Sequence, residues 1–129
     1  MKKILAVDYG SKRIGLAVNH EWLAEPLKII PNNEALSRIF EIIQQEKIEI
    51  VLIGVADGVI ADQAKIFGKN IAEKAGKTVE VIEVDETLSS VEIHKKLTQG
   101  AMPKKQRQQP IDHFAAAAIL QDYIDTHPA

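Results

Sequence analysis

The chain has 129 residues, 46% hydrophobic and 26% charged, a make-up that predicts one globular domain over residues 1–129. It has no cysteine, which excludes disulfides, thiolate zinc sites and a cysteine nucleophile and suits the cytoplasm. No apolar run approaches the roughly 20 residues of a membrane span, and a net charge of −2 means that nucleic-acid binding would need a local basic patch.

Residues 2–8 predict a buried strand, an apolar run closed by Asp8 and followed by Gly10. The run is too abruptly ended, and lacks a cleavage site, for a signal peptide. Residues 9–13 form a turn and 14–18 a second strand, so the two pair as an antiparallel hairpin. A short third strand fits 27–30, bounded by Pro26 and Pro31. Asn32 or Asn33 is expected to cap a helix whose inner face carries Leu36, Ile39, Phe40 and Ile43. Residues 48–55 are nearly all apolar, as in a central parallel strand. Ile60, Ala64, Phe67 and Ile71 make the inner face of a second helix, closed by Gly76. A fifth strand covers 79–84. Ser89-Ser90-Val91-Glu92 carries a capping-box signature for a short helix ending near Gly100. Residues 100–109 read as a basic loop, and Pro110 opens the final helix. The order gives an α/β fold: a five-stranded mixed sheet, three antiparallel strands then two parallel ones, with helices on both faces.

Three acidic signals stand out. Asp8 ends the first strand, Asp85 and Glu86 end the fifth, and Asp112 opens the final helix. Sites in open α/β sheets form beyond the carboxyl ends of strands. Taken alone, Asp8 also fits a turn aspartate accepting backbone hydrogen bonds, and Asp112 fits a carboxylate favoured by the helix dipole. Asp112, however, shares a stripe with Ala115, Ala116, Ile119, Leu120 and Tyr123, which should face the sheet, where a carboxylate is costly unless paired or bound to metal. His113, Gln121, Asp122 and Asp125 fall on the opposite, solvated face and are given no role. Parity does not decide between the two neighbours: Glu86 goes with Val84 and Ile82, Asp85 with Val81 and Val79. Together the acids predict a divalent-cation site, because hard cations such as Mg²⁺ take oxygen ligands. Such sites act on phosphates, commonly with two ions ~3.5–4 Å apart.

Lys12 and Arg13 follow Asp8, while Lys104, Lys105 and Arg107 precede Asp112. Each alone fits solvated charge. Beside the acids, either group can reach a phosphate backbone. Tyr9 and Trp22 are candidates to stack on bases if exposed, and packing under the third strand is the other reading of Trp22. Asp57 and Asp62 are possible extra ligands, with turn and first-turn roles favoured. The four histidines show no ligand spacing, and no serine sits in a nucleophile elbow.

With these residues assembled, the chain resembles the YqgF/RuvX family of the RNase H-like superfamily, nearly end to end. The similar segments are Asp8-Tyr9-Gly10-Ser11-Lys12-Arg13-Ile14-Gly15, Asp85-Glu86-Thr87-Leu88-Ser89-Ser90, and Ile111-Asp112-His113-Phe114-Ala115-Ala116 followed by Ile119-Leu120-Gln121. The resemblance implies an RNase H-like fold and a Mg²⁺- or Mn²⁺-dependent endonuclease. It implies Asp8, Glu86 (or Asp85) and Asp112 as the acidic positions. It further implies a cytoplasmic role processing the 5′ end of pre-16S ribosomal RNA, with ribosomal particles as possible partners. Resolution of Holliday junctions, by analogy with RuvC, is the alternative. Thr87 stands where the family has arginine, and Gly54-Val55-Ala56-Asp57-Gly58 where a proline-containing loop is common.

Two rivals belong to other classes. Asp8-x-Gly10 with Gly15 is similar to the phosphate hairpin of the actin, Hsp70 and sugar-kinase group, but those proteins close two lobes on ATP, and this chain has length for one. Leu16-Ala17 after Gly15 excludes a P-loop. The second rival is a non-catalytic module binding structured RNA or an assembly partner.

Overall fold

A computed structural model describes residues 1–55, 61–84 and 112–127, with 55, 61 and 112–114 described as backbone only. The expected helix after Ser89, the loop 100–109 and the Pro110 start lie outside the described residues.

The sheet holds β1 (Ile4–Tyr9), β2 (Arg13–His20), β3 (Leu23–Pro31), β4 (Ile50–Val55) and β5 (Glu80–Glu83) in the order β3-β2-β1-β4-β5. β1 pairs antiparallel with β2, and β2 with β3, whereas β4 runs parallel to β1 and β5 parallel to β4. The mixed topology expected from the sequence is therefore present. Residues along β1 alternate between two cores, as the period-2 pleat requires. Leu5, Val7 and Tyr9 face α1 (Ala35–Glu46) and α2 (Ala61–Ala75), while Ile4 and Ala6 face α3 (Asp112–Thr126). Both faces of β1 are covered, which explains its unbroken apolar run.

Three local expectations need correction. β3 is longer than 27–30 and runs through Pro26. Its register against β2 jumps from Lys28 to Pro26 between Leu16 and Ala17, leaving Leu27 as an extra residue. A bulge on an outer strand needs no ladder donor at the proline, so Pro26 does not end the strand. Asn32 does not cap α1. Its N–H and Nδ2 donate instead to the Lys12 and Gly10 carbonyls at 2.9 and 2.7 Å. Residues Asn32–Glu34 form a 3₁₀ turn, and α1 starts after Glu34 without a side-chain cap, so Asn33 is no cap either. The fully inner residues of α1 are Ala35, Ile39, Ile42 and Ile43, with Leu36 partly buried against them. Phe40 lies toward α2, with the Lys74 ammonium 5.2 Å from its ring centre.

Asn19 was not singled out in the sequence and is 2% exposed. Its Oδ1 accepts the Ile4 N–H at 2.8 Å, and its Nδ2 donates to the Lys2 and Glu21 carbonyls, each at 3.0 Å. This side chain ties the β2–β3 turn to the start of β1.

Candidate active site

Asp8 is the next-to-last residue of β1 and only 4% exposed. The pleat puts it on the same face as Ile4 and Ala6, toward α3. Its partners on the two neighbouring strands are Gly15 and Gly54. Glycine therefore flanks Asp8 on each neighbouring strand. A carboxylate this deep is costly unless it is paired, hydrogen-bonded or bound to a cation.

The elements converge on this point. β4 and β5 run parallel to β1, and the Val84 N–H donates to the Ile53 carbonyl at 2.8 Å, so the chain leaves β5 on the row of Asp8. That exit lies two strand spacings away, roughly 9–10 Å. Ile82 and Val84 belong to the core on the Asp8 face, and Val81 to the other. Asp85 and Glu86, which come next, lie outside the described residues.

The direction of α3 is fixed by Gln121. Its Oε1 accepts the Ala24 N–H at 2.9 Å and its Nε2 donates to the Trp22 carbonyl at 3.0 Å. This corrects the placement of Gln121 on a solvated face without a role. The bonds put the later half of α3 over the β2–β3 turn, the end of the sheet where β1 begins. Asp112 precedes Gln121 by nine residues, roughly 13–14 Å of helix. Asp8 follows Ile4 by four residues, roughly 13 Å of strand. The two lengths are similar, so the start of α3 lies toward the end of the sheet that holds Asp8. Of the expected inner stripe, Ala116, Ile119 and Leu120 are fully buried, joined by Ala118 and Ile124. The Asp112 side chain lies outside the description.

Lys12 and Arg13 are exposed at the same end of the sheet, in the turn after Asp8 and at the start of β2. Gly10 is required there, because a Cβ would collide with the Arg13 carbonyl oxygen. Asn32 holds the turn from the other side. Lys104, Lys105 and Arg107 lie outside the described residues, as does Asp57. Asp62 is exposed in the first turn of α2, where the helix dipole favours it. Tyr9 is 9% exposed, with its ring 4.8 Å from that of Phe67, so it is a core residue and not a base-stacking platform. The pleat turns it away from Asp8 into the face covered by α1 and α2. Trp22 is 50% exposed, so it does not pack under the third strand, and it sits at the end of the sheet remote from Asp8.

Carboxylate oxygens suit hard divalent cations such as Mg²⁺ or Mn²⁺. A buried Asp8 with glycine on each neighbouring strand fits that chemistry. Among the described residues no group of three or more metal-ligating side chains is assembled, and the other expected ligands have side chains outside them.

A family model described as "RuvX: Holliday junction resolvase" matches residues 2–126. The chain belongs to the RuvX family. Two relatives, each named "Putative pre-16S rRNA nuclease", come from Sulfurihydrogenibium sp. and Bacteroides fragilis. The first is 35% identical over 134 residues, covering 97% of this chain and 91% of the relative. The second is 32% identical over 136 residues, covering 98% of each. Among solved structures, T. thermophilus RuvC in complex with a Holliday junction substrate has a TM-score of 0.64 at 17% identity, covering 100% of this chain and 98% of that one. At that identity the likeness concerns the fold, which for this RuvX-family chain is RNase H-like.

Proposed function

We propose that the chain, as one domain over residues 1–129, is a divalent-metal-dependent endonuclease. It hydrolyses phosphodiester bonds at the 5′ end of pre-16S ribosomal RNA during ribosome biogenesis. The buried Asp8, flanked by glycines at the end of the sheet toward which the end of β5 and the start of α3 both lie, carries this reading. The name shared by its RuvX relatives supports the substrate.

Asp8, Glu86 and Asp112 are the proposed ligands for Mg²⁺ or Mn²⁺. Glu86 is preferred to Asp85 because it shares parity with Ile82 and Val84, which lie on the Asp8 face. Two such ions, when bound, supply an activated water and stabilisation of the leaving oxygen. The chain's own contribution is to supply the three carboxylates, with Asp8 held on β1, and to offer Lys12, Arg13, Lys104, Lys105 and Arg107 to the phosphate backbone. Among the described residues no helix is long and apolar enough to cross a membrane, and a cytoplasmic setting among ribosomal particles belongs to the proposal.

The test is cleavage of an end-labelled pre-16S leader RNA, a four-way DNA junction and unstructured strands, with Mg²⁺, Mn²⁺ or EDTA. Metal-dependent cutting of the leader, lowered roughly 100-fold or more by Asp8→Asn or Asp112→Asn, is expected. The family description favours junction resolution as the second reading, and preferential cutting of the junction would select it. Binding of RNA without metal, unaffected by Asp8→Asn and without cutting of any substrate, would overturn both in favour of a non-catalytic module.

A further inference from the structure

We infer that Gln121 is a positioning residue for the acidic cluster: its carboxamide sets how far α3 lies along the sheet, and so where Asp112 stands relative to Asp8. The inference rests on the metal-site reading above. It begins with the contact surface of α3. Ala116 packs against a patch that includes Ala6 and Ala17, all three fully buried, with Ile119, Leu120 and Ile124 further along. Apolar contact is non-directional, and at the centre of this surface, where Ala116 meets Ala6 and Ala17, the side chains are small, with the larger Ile4, Ile50 and Leu52 of the sheet around them. Directional bonds can specify what this surface does not.

Gln121 supplies them. It satisfies a backbone N–H and a backbone C=O of the same segment at once, at 2.9 and 3.0 Å, across 97 and 99 residues of sequence. The segment it grips is itself locked. Ala24 pairs with Asn19, whose Oδ1 holds the Ile4 N–H at the start of β1. A continuous bonded path therefore runs from Asp112 down α3 to Gln121, through Ala24 and Asn19 to Ile4, and up β1 to Asp8. The two rigid arms are of nearly equal length, roughly 13 Å each. Shifting the grip moves one acid against the other, although Gln121 lies at the far end of the sheet and touches no substrate. Asp125 also accepts from Gln121 Nε2, at 3.0 Å, but within the helix, where it cannot fix the helix to the sheet.

The test is Mn²⁺ affinity, read from the electron-paramagnetic-resonance signal of free Mn²⁺, on the full chain with Asp8→Asn as the blank. Gln121→Met keeps the length and loses both grips. A roughly 10-fold rise in Kd is expected, the scale of losing a residue that orients metal ligands. Ile42→Val, a core truncation on the opposite face, and Asp125→Ala should both leave Kd at the wild-type value, with thermal melts recorded for all. Gln121→Glu keeps an acceptor for the Ala24 N–H but turns an oxygen toward the Trp22 carbonyl and the Asp125 carboxylate, so it should raise Kd at least as far as Gln121→Met. An unchanged Kd in Gln121→Met, or an equal rise in Ile42→Val, overturns the positioning role and leaves the metal site standing. A wild-type Kd that Asp8→Asn does not alter removes the metal site, and the positioning role with it.

Discussion

Asn19→Ala should be among the most damaging single substitutions in this chain, and its cost can be worked from the contacts. The side chain is 2% exposed and holds three backbone groups. Its amide orientation is fixed by them, since Ile4 offers only an N–H and Lys2 and Glu21 only carbonyl oxygens. The bond to Ile4 is buried, and losing it strands a backbone donor, at a cost of about 2–3 kcal/mol. The other two are partly buried and exchange more readily for water, adding about 0.5 kcal/mol each. The sum is about 3–4 kcal/mol, a large share of the ~5–15 kcal/mol stability of a typical domain. At roughly 4 °C per kcal/mol for a chain of this size, Tm should fall by about 12–16 °C in calorimetry or circular dichroism. Asn19→Asp keeps an acceptor for Ile4 but turns an oxygen toward two carbonyls, so it should melt no higher than Asn19→Ala at neutral pH. A fall of less than about 4 °C in Asn19→Ala would refute the reasoning, because it would place the side chain's net contribution near that of one exposed hydrogen bond.

Other outcomes follow from single observations. Lys47 closes α1 in the left-handed region at φ 54°, so Lys47→Gly should gain about 0.5–1 kcal/mol, seen as a rise of a few degrees in Tm. Because Tyr9 is packed on Phe67, Tyr9→Ala should cost about 3–5 kcal/mol in denaturant unfolding, whereas Tyr9→Phe should leave RNA affinity unchanged in a filter-binding titration. A loss of affinity in Tyr9→Phe would return that ring to the nucleic-acid surface. Gly10→Ala drives a methyl onto the Arg13 carbonyl, and overpacking of about 1–3 kcal/mol should appear as a lowered denaturation midpoint.

Much of the architecture could be read from apolar runs, because β1 and β4 are buried on both faces and show it as unbroken Ile, Leu, Val and Ala. Asp8 was legible for the same reason: a carboxylate ending such a run is conspicuous. The misplacements share a cause. Asn32, Asn19 and Gln121 look locally like a cap, an ordinary strand residue and a solvated helix position, yet each bonds backbone that is distant in sequence. No local spacing announces a partner 97 residues away. Pro26 reads as a boundary because a proline normally costs a ladder bond, and only the bulge at Leu27 shows why it costs none here. Tyr9 follows Asp8 directly, and the pleat sends it into the core while Asp8 faces the other way.

That proline has a consequence for how molecules of this protein treat one another. Among the described strands β3 and β5 are outermost, and an outer strand is a template on which a neighbour's chain can extend the sheet. β3, nine residues long, would be the inviting one. Pro26 removes a donor from its middle, the bulge breaks its repeat, and Gln121 occupies the Ala24 N–H near its start. β5 is only four residues long and carries exposed glutamates at both ends. Strand addition between copies, the direct path from a sheet of this kind to insoluble material, is thus obstructed at both described edges, on β3 by backbone features and on β5 by shortness and charge.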